Sequence, residues 1–415
     1  MAAMGDEVQF KEYEQHQGQL LPAHLSEALD AGDPVFFISD LVEGLDLEIF
    51  ERRYAAMGEH AYPPRLLLKL WLFGAVAGVY SGREIAQRVR WDLRFRYLAG
   101  GLAPDFRTIN RFRVRHREDF AEVFRQTVRT ARASGLGKLG RVAIDGSKIR
   151  ANTSRHKAMS HQRMKEAEER LEDEIAQILA QMDECNAAED DEHGDDDDGS
   201  GGLPAELQDR EQRVAKLRAV RKQLEAERGS ELRPKSQKSF ADPDANMMRT
   251  GEGSLQYCYN AQAATSEDGV IVAAEITTSP RDVGQLVPMV EAVKINTGRR
   301  PGMAVADNGY LSESNLEQLG KKRQRCLIAA GREGKKPTSW PTGRRTQRMH
   351  RILRLPWARR IYDYRKTQGE RPFAEIKQTM RFRRFSLRGR ANIRGEWNLV
   401  CAAANALAMY RAVMA

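Results

Sequence analysis

The pattern of apolar and polar positions divides the chain into three kinds of segment. Through about residue 135 the apolar positions recur at helical spacing. Behind Tyr62-Pro63-Pro64 runs LLLKLWLFGAVAGVY (Leu66 to Tyr80), which reads as a core helix opened by prolines. Ser81 is placed to cap a second helix, with Glu84 at capping-box spacing and Ile85, Val89 and Leu93 as its apolar stripe. A third helix is expected from near Asp105, carrying Arg107, Arg111, Arg113 and Arg115.

Beyond residue 135 short apolar runs alternate with helical patterns. Arg141-Val-Ala-Ile-Asp145-Gly reads as a buried strand ending in an acid, and Gly302-Met-Ala-Val-Ala-Asp307-Asn-Gly repeats that form. Leu255 to Thr265 and Val270 to Thr277 predict two strands joined by a turn at Glu267-Asp-Gly269, and Cys326 to Ala330 a further strand. Helices are expected over Val283 to Val293, around Glu370 to Met380, and from about Gly395 to Val413. Between these runs, Met164, Leu171 and Ile178, then Glu168, Ile175 and Met182, then Leu207, Val214, Leu217 and Leu224 keep heptad spacing. An acidic tract, Glu189 to Gly202, separates the two arms, so an antiparallel helical hairpin with a disordered tip is expected. The tract lacks the alternating ligand spacing of a calcium loop. The predicted architecture is an all-helical N-terminal domain (1–135) followed by an α/β domain (136–415) with a helical coiled-coil insertion (159–232).

Composition narrows the setting. At 415 residues the chain is long enough for two or three domains. The most apolar window, interrupted by Lys69, falls short of the roughly 20 residues of a membrane span. No basic and then apolar leader is visible, and the four cysteines lie far apart with no CxxC pair. Those features predict a cytoplasmic protein without a zinc site. Net charge is +9, but unevenly spread. Residues 341–394 carry 17 Lys and Arg against three acids; residues 65–117 carry 12 against three; residues 160–230 carry 10 against 21. Two basic segments around an acidic one predict a polyanion partner. Arginine interleaved with Trp357, Tyr364, Phe382 and Phe385 argues against a merely solvated surface. The N-terminal order of helix, turn and arginine-rich helix is that of a helix-turn-helix, a common pattern that predicts DNA contact through Arg107 and Arg111.

The candidate chemistry lies in the acids that end strands. A strand alternates its side chains between faces, so its burial delivers a terminal Asp to a fixed point. If the strands of Asp145 and Asp307 lie side by side, their carboxylates repel unless a cation neutralises them. Oxygen ligands alone select Mg²⁺ or Mn²⁺ over zinc. For a third acid, Glu370 and Glu375 compete. Helical rotation sets them roughly 140° apart, whereas Lys377 falls nearly on the face of Glu370 and Arg381 close to the same line. Pro372 fits a first helical turn, which would keep Glu370 at a helix start.

Five stretches in order resemble the DDE transposases of bacterial insertion sequences. They are AIDGSKIRANTSRHKA (143–158), DPDANMM (242–248), YCYNAQAA (257–264), VADNGY (305–310) and ERPFAEIKQTMRFRRFSLRG (370–389). Tyr362, Arg365, Glu370 and Lys377 resemble the branch with a Tyr–Arg–Glu–Lys signature, with one extra residue between Arg365 and Glu370. The resemblance covers about residue 40 to the end and implies an RNase H-like fold, with Asp145 on its first strand and Asp307 on its fourth. It implies Asp145, Asp307 and Glu370 as catalytic ligands of two divalent ions, Mg²⁺ or Mn²⁺, in DNA cleavage and strand transfer. Tyr362, Arg365, Lys377, Arg381, Arg383 and Arg384 are then expected on the DNA, with end recognition by the N-terminal helices. Double-stranded DNA is the expected partner, a homodimer or larger the expected assembly, and the nucleoid the expected place of action. Two other readings remain: a nuclease on the same fold that cuts without joining, and a DNA-binding protein without catalysis.

Overall fold

The computed structural model describes residues 24–54, 61–153, 158–192, 205–251, 253–329 and 343–415. The extreme N-terminus, most of the acidic tract and the last residue of the run 326–330 therefore lie outside the described residues.

Seven helices come first: α1 (Pro34–Glu43), α2 (Glu48–Glu51), α3 (Pro64–Val76), α4 (Gly82–Trp91), α5 (Leu93–Ala99), α6 (Phe106–Arg115) and α7 (Phe120–Ala133). Their starts follow local chemistry. Pro64 opens α3, the Ser81 hydroxyl accepts from the Glu84 N–H, and Asp105 accepts from the Arg107 N–H at 2.8 Å. The expected second helix is in fact two. Asp92 leaves the helical conformation and caps α5 through the Arg94 N–H at 3.0 Å, so Leu93 begins a new helix, exposed, and does not extend the stripe of Ile85 and Val89.

The sheet is mixed. Strand β1 (Arg141–Arg150) is followed by short β2 (Ala158–Ser160), helices α8 (His161–Glu192) and α9 (Ala205–Arg228), and strands β3 (Gln237–Ser239), β4 (Asn246–Arg249), β5 (Leu255–Thr265) and β6 (Ile271–Thr277). Next come α10 (Leu286–Thr297), β7 (Met303–Ala306), α11 (Glu313–Lys321), β8 (Cys326–Ile328), α12 (Arg344–Ile352), α13 (Pro356–Ala374) and α14 (Arg390–Met414). One edge of β5 pairs antiparallel with β1; its other edge pairs with β4 along one half and β6 along the other. Beyond β1 the sheet is parallel, in the order β1, β7, β8. The β1–β7 register sets Ile144 opposite Ala306, so Asp145 and Asp307 follow as neighbours; β1, expected to end at Asp145, continues to Arg150 because β5 pairs with it over that length.

The hairpin inserted after β2 packs antiparallel, since Glu168 meets Arg218 while Glu174 meets Arg210. Met164, Leu217, Val220 and Leu224 form its own small core. Glu168, at one of the expected heptad positions, is buried and neutralised by Arg218 and Arg221.

Helix α14 holds the molecule together. Its run from Ile393 to Leu407 is buried on nearly every side, against α3, α7 and β6. The Asn405 amide bonds both backbone groups of Ile271, at 2.8 and 2.9 Å, and so completes the ladder at the start of β6. One apolar core thus runs from Val35 to Met409 across residue 135. Arg113, one of the four arginines expected along the third helix, belongs to this core. It lies 4.3 Å over the Trp71 ring and pairs with the buried Glu396 at 3.4 Å. Glu396 also accepts from the backbone N–H groups of Ser386 and Leu387, both at 3.0 Å, fastening the arginine-rich segment to α14. Breaking a buried pair on one side costs about 3–5 kcal/mol. Glu396→Ala is therefore expected to lose that much stability in urea unfolding; a loss below about 1 kcal/mol would contradict this role.

Candidate functional site

Asp145 and Asp307 reach the site by strand register. The Asp145 Oδ1 accepts from the Gly146 N–H at 2.8 Å, and the Asp307 Oδ1 accepts from the Gly309 N–H at 2.9 Å. Both are largely shielded from solvent. Burial pushes the Asp145 carboxyl up to about 6, with Asp307 and Asp282 adding to the rise and the Gly146 N–H and Arg365 opposing it. Burial also raises Asp307, against the lowering effect of Arg365.

Helix α13 covers the pair. Pro356 occupies its first turn, so the helix starts fourteen residues before Glu370 and Pro372 lies inside it, not at its beginning. After Pro372 the ladder widens into a π-helical turn, Glu375–Thr379, closed by the Met380 N–H to the Glu375 carbonyl at 3.0 Å. Gly369 lies against the acid: a Cβ there would sit 3.5 Å from the Asp145 Cβ and 3.6 Å from its Oδ2. One turn back, buried Arg365 faces both acids electrostatically and lies 5.2 Å over the Tyr362 ring. Its Nε has no hydrogen-bond partner among the described residues. Lys377 donates to the Ser147 hydroxyl, on the same face of β1 as Asp145.

The two competing glutamates separate clearly. Glu375 turns to α14, where both its oxygens pair with Arg411 at 2.6 and 3.0 Å. Glu370 follows Gly369 and is exposed. Among the described residues no three or more His, Cys, Asp or Glu side chains are gathered to hold a metal ion, so Glu370 stands beside the acid pair without closing on it. Arg381, Arg383 and Arg384 are exposed, alternating with buried Phe382 and Phe385. Arg384 runs beside Arg150 at the far end of β1 and bonds the Asn152 side chain at 2.9 Å. Arg107 and Arg111 are exposed on α6, away from the buried Ile109 and Phe112.

A further carboxylate was not anticipated. Asp282 accepts from Lys148 Nζ at 2.9 and 3.0 Å, from the Asn260 amide at 2.6 Å and from the Gln262 amide at 3.0 Å; Gln262 in turn accepts from Tyr310. Gly146 makes room for this knot, because a Cβ there would lie 2.2 Å from Gln262 Nε2. Asp282 sits in a loop, ends no apolar strand, and so carried no sequence signal. Its partners lie in two of the five motif stretches, which is the clue that was present.

An acid pair set among arginines suits a protein that acts on a polyanion. Residues 23–115 match a family model described as a transposase domain (DUF772), and residues 232–406 match one described as a transposase DDE domain. The chain belongs to the DDE transposases of insertion sequences. Comparison with curated proteins and with solved structures gave no match. Asp307, Glu370 and Lys377 fall within the second matched segment, whereas Asp145 lies between the two.

Two predictions follow from the geometry. A tenfold change in proton affinity is about 1.4 kcal/mol, so ionised Asp145 costs the metal-free fold on the order of 3 kcal/mol at neutral pH. Because its folded-state value is raised, that cost is absent near pH 4, grows as pH rises through about 6, and is complete above. Asp145→Asn should therefore unfold at higher temperature than the parent at pH 8 in EDTA, with the difference shrinking towards pH 4; a pH-independent difference would exclude this origin. Asp282→Asn should leave DNA affinity unchanged but weaken divalent-cation affinity or activity by roughly 10- to 100-fold, the usual cost of losing a partner behind a metal site. Unaltered cation affinity and activity would make the knot purely structural.

Proposed function

We propose that this transposase binds the ends of its mobile element and performs divalent-metal-dependent strand cleavage and strand transfer, with Asp145, Asp307 and Glu370 as its catalytic acids. The adjacent, half-buried placement of Asp145 and Asp307 carries this reading. Two like charges on neighbouring strands are disfavoured alone and favoured by a cation between them. The donors are carboxylate oxygens, which fit hard Mg²⁺ or Mn²⁺. We read the number of ions as two. When bound, they supply Lewis acidity to the phosphate and lower the pKa of the attacking hydroxyl or water.

The chain's own groups do the rest. Asp145 and Asp307 hold fixed positions through their Gly146 and Gly309 N–H bonds. Glu370, exposed one residue beyond Gly369, would complete the ligand set with Asp145 and Asp307, and Glu375 stays with Arg411. Arg365, with Nε unbonded, and Lys377, beside Ser147, hold phosphate oxygens, with Tyr362 supporting Arg365. Arg381, Arg383 and Arg384 track the backbone, while Arg107 and Arg111 on α6 serve end recognition. The strand order from β6 through β5, β1 and β7 to β8 supports an RNase H-like reading, with 136–415 as catalytic region, 1–135 as helical recognition region, and 159–232 as a coiled-coil insertion. Joining two ends calls for a dimer or larger assembly on DNA.

The test uses purified full-length protein, Mg²⁺, and the DNA that flanks its coding sequence on both sides. Cleavage at two ends with joint products is expected. Asp145→Asn, Asp307→Asn and Glu370→Gln should each lower the rate beyond the roughly 10- to 100-fold typical of outer metal-site partners while DNA binding persists. Glu375→Gln should stay within about twofold, since exposed ion pairs contribute little. Breaks without joint products would make the protein a nuclease, and equal activity of Glu370→Gln would remove the third acid.

A further inference from the structure

The exposed stripe of α12 and the start of α13 presents arginines that the proposed site does not use. Arg344, Arg348 and Arg351 recur at intervals of four and three residues, so they share one face of α12, and all three are exposed. The opposite face buries Thr346 and Met349. Arg345 is set apart, its charge engaged by Glu313 at 3.5 Å. Leu355 and Trp357 are exposed at 45% and 43%, and Arg359 and Arg360 are exposed beside them. No acid occurs from residue 343 to residue 362.

Position gives this surface its meaning. Helix α13 runs along β1 in the same direction, because Gly369 meets Ala143 and Asp145 whereas Lys377 meets Ser147. From Arg365, at the acids, back to Trp357 is eight residues, or about 12 Å of helix. In the other direction, Asp145 to Arg150 is five residues of strand, or about 17 Å, and ends at Arg384. The acids therefore stand between two separate arginine surfaces spanning roughly 29 Å, the length of eight to nine base pairs at about 3.4 Å each.

The geometry points to the stripe Arg344, Arg348 and Arg351, with Trp357 at its end, as a second duplex-DNA surface that holds the side of the cut opposite to Arg383 and Arg384. The inference rests on the DNA-acting reading but not on cleavage, so its test is made without metal. Repeated single charges at helical spacing match repeated phosphates on one strand, and the exposed indole lies against the sugars between them.

Full-length protein is titrated in EDTA with a fluorescent duplex of roughly 30 base pairs over a series of salt concentrations. Each phosphate contact contributes about 0.9 to the slope of log affinity against log salt. The triple change Arg344→Gln, Arg348→Gln, Arg351→Gln should flatten the slope by between about two and three and weaken binding roughly 100-fold at 0.1 M salt. Arg383→Gln with Arg384→Gln should flatten it by about two, and the combined variant by the sum. If the triple variant unfolds, Arg348→Gln alone should flatten the slope by about one. A wild-type slope in folded variants overturns the inference. So does a shift in sedimentation with an unchanged slope, which would assign the stripe to a second copy of the chain. Failure of the cleavage assay would leave these slopes intact, and so would tell against the chemistry alone.

Discussion

Two carboxylates on adjacent parallel strands, Asp145 within β1 and Asp307 just past the end of β7, impose the central constraint on this fold. Register forces Asp145 and Asp307 together once β1 and β7 pair, and the apolar runs before them, Val142 to Ile144 and Met303 to Ala306, bury both strands. Charge is then held where water cannot solvate it fully. The fold manages this by three means: single N–H bonds from nearby glycines, buried Arg365 on α13, and the pair of Lys148 on β1 with Asp282 in the loop after β6. None is a close ion pair to either acid. The pair stays electrostatically strained in favour of a cation.

Around that strain the rest of the architecture is scaffolding with a direction. Helix α14, rich in alanine and buried along most of Ile393 to Leu407, packs on β6, α3 and α7 and ties the N-terminal helices to the sheet. Through Glu396 it also anchors Ser386 and Leu387, which fixes the segment bearing Arg383 and Arg384. Helix α13 brings Arg365 and Gly369 to the acids, and its π-helical turn lets the chain continue to Lys377 after Pro372. The inserted hairpin keeps a small separate core and a ladder of ion pairs, so its acidic surface remains distinct from the basic ones.

The parts legible in the sequence were those governed by local rules. The apolar runs into Asp145 and Asp307, the caps at Ser81 and Asp105, the proline start of α3 and the turn at Gly269 all arise from short-range chemistry, although β1 continues past Asp145 to Arg150 where an end was expected. What escaped depends on distant partners. Arg113 resembles its neighbours in sequence, yet Trp71 and Glu396 make it a core residue. Pro372 signalled a helix start, but α13 begins at Pro356 and its packing on the sheet sustains it through the second proline. Asp92 hid the break between α4 and α5 because it serves as the end of one helix and the cap of the next. Asp282 was invisible for lack of a strand before it. Glu370 was favoured over Glu375 on helical rotation with Lys377, on Pro372 as a first-turn proline and on the Tyr–Arg–Glu–Lys resemblance; in the fold Glu375 is taken up by Arg411, a distant partner.

Calorimetric titration with Mg²⁺ or Mn²⁺ in buffers of different ionisation enthalpy tests the acid pair most directly. Since Asp145 holds its proton up to about pH 6, cation binding at pH 6 should release protons, and the release should vanish by pH 8. Asp145→Asn should abolish both binding and release. Binding that survives this substitution with the same proton count, or no cation binding at either pH, would contradict the claim that the buried pair exists to hold metal.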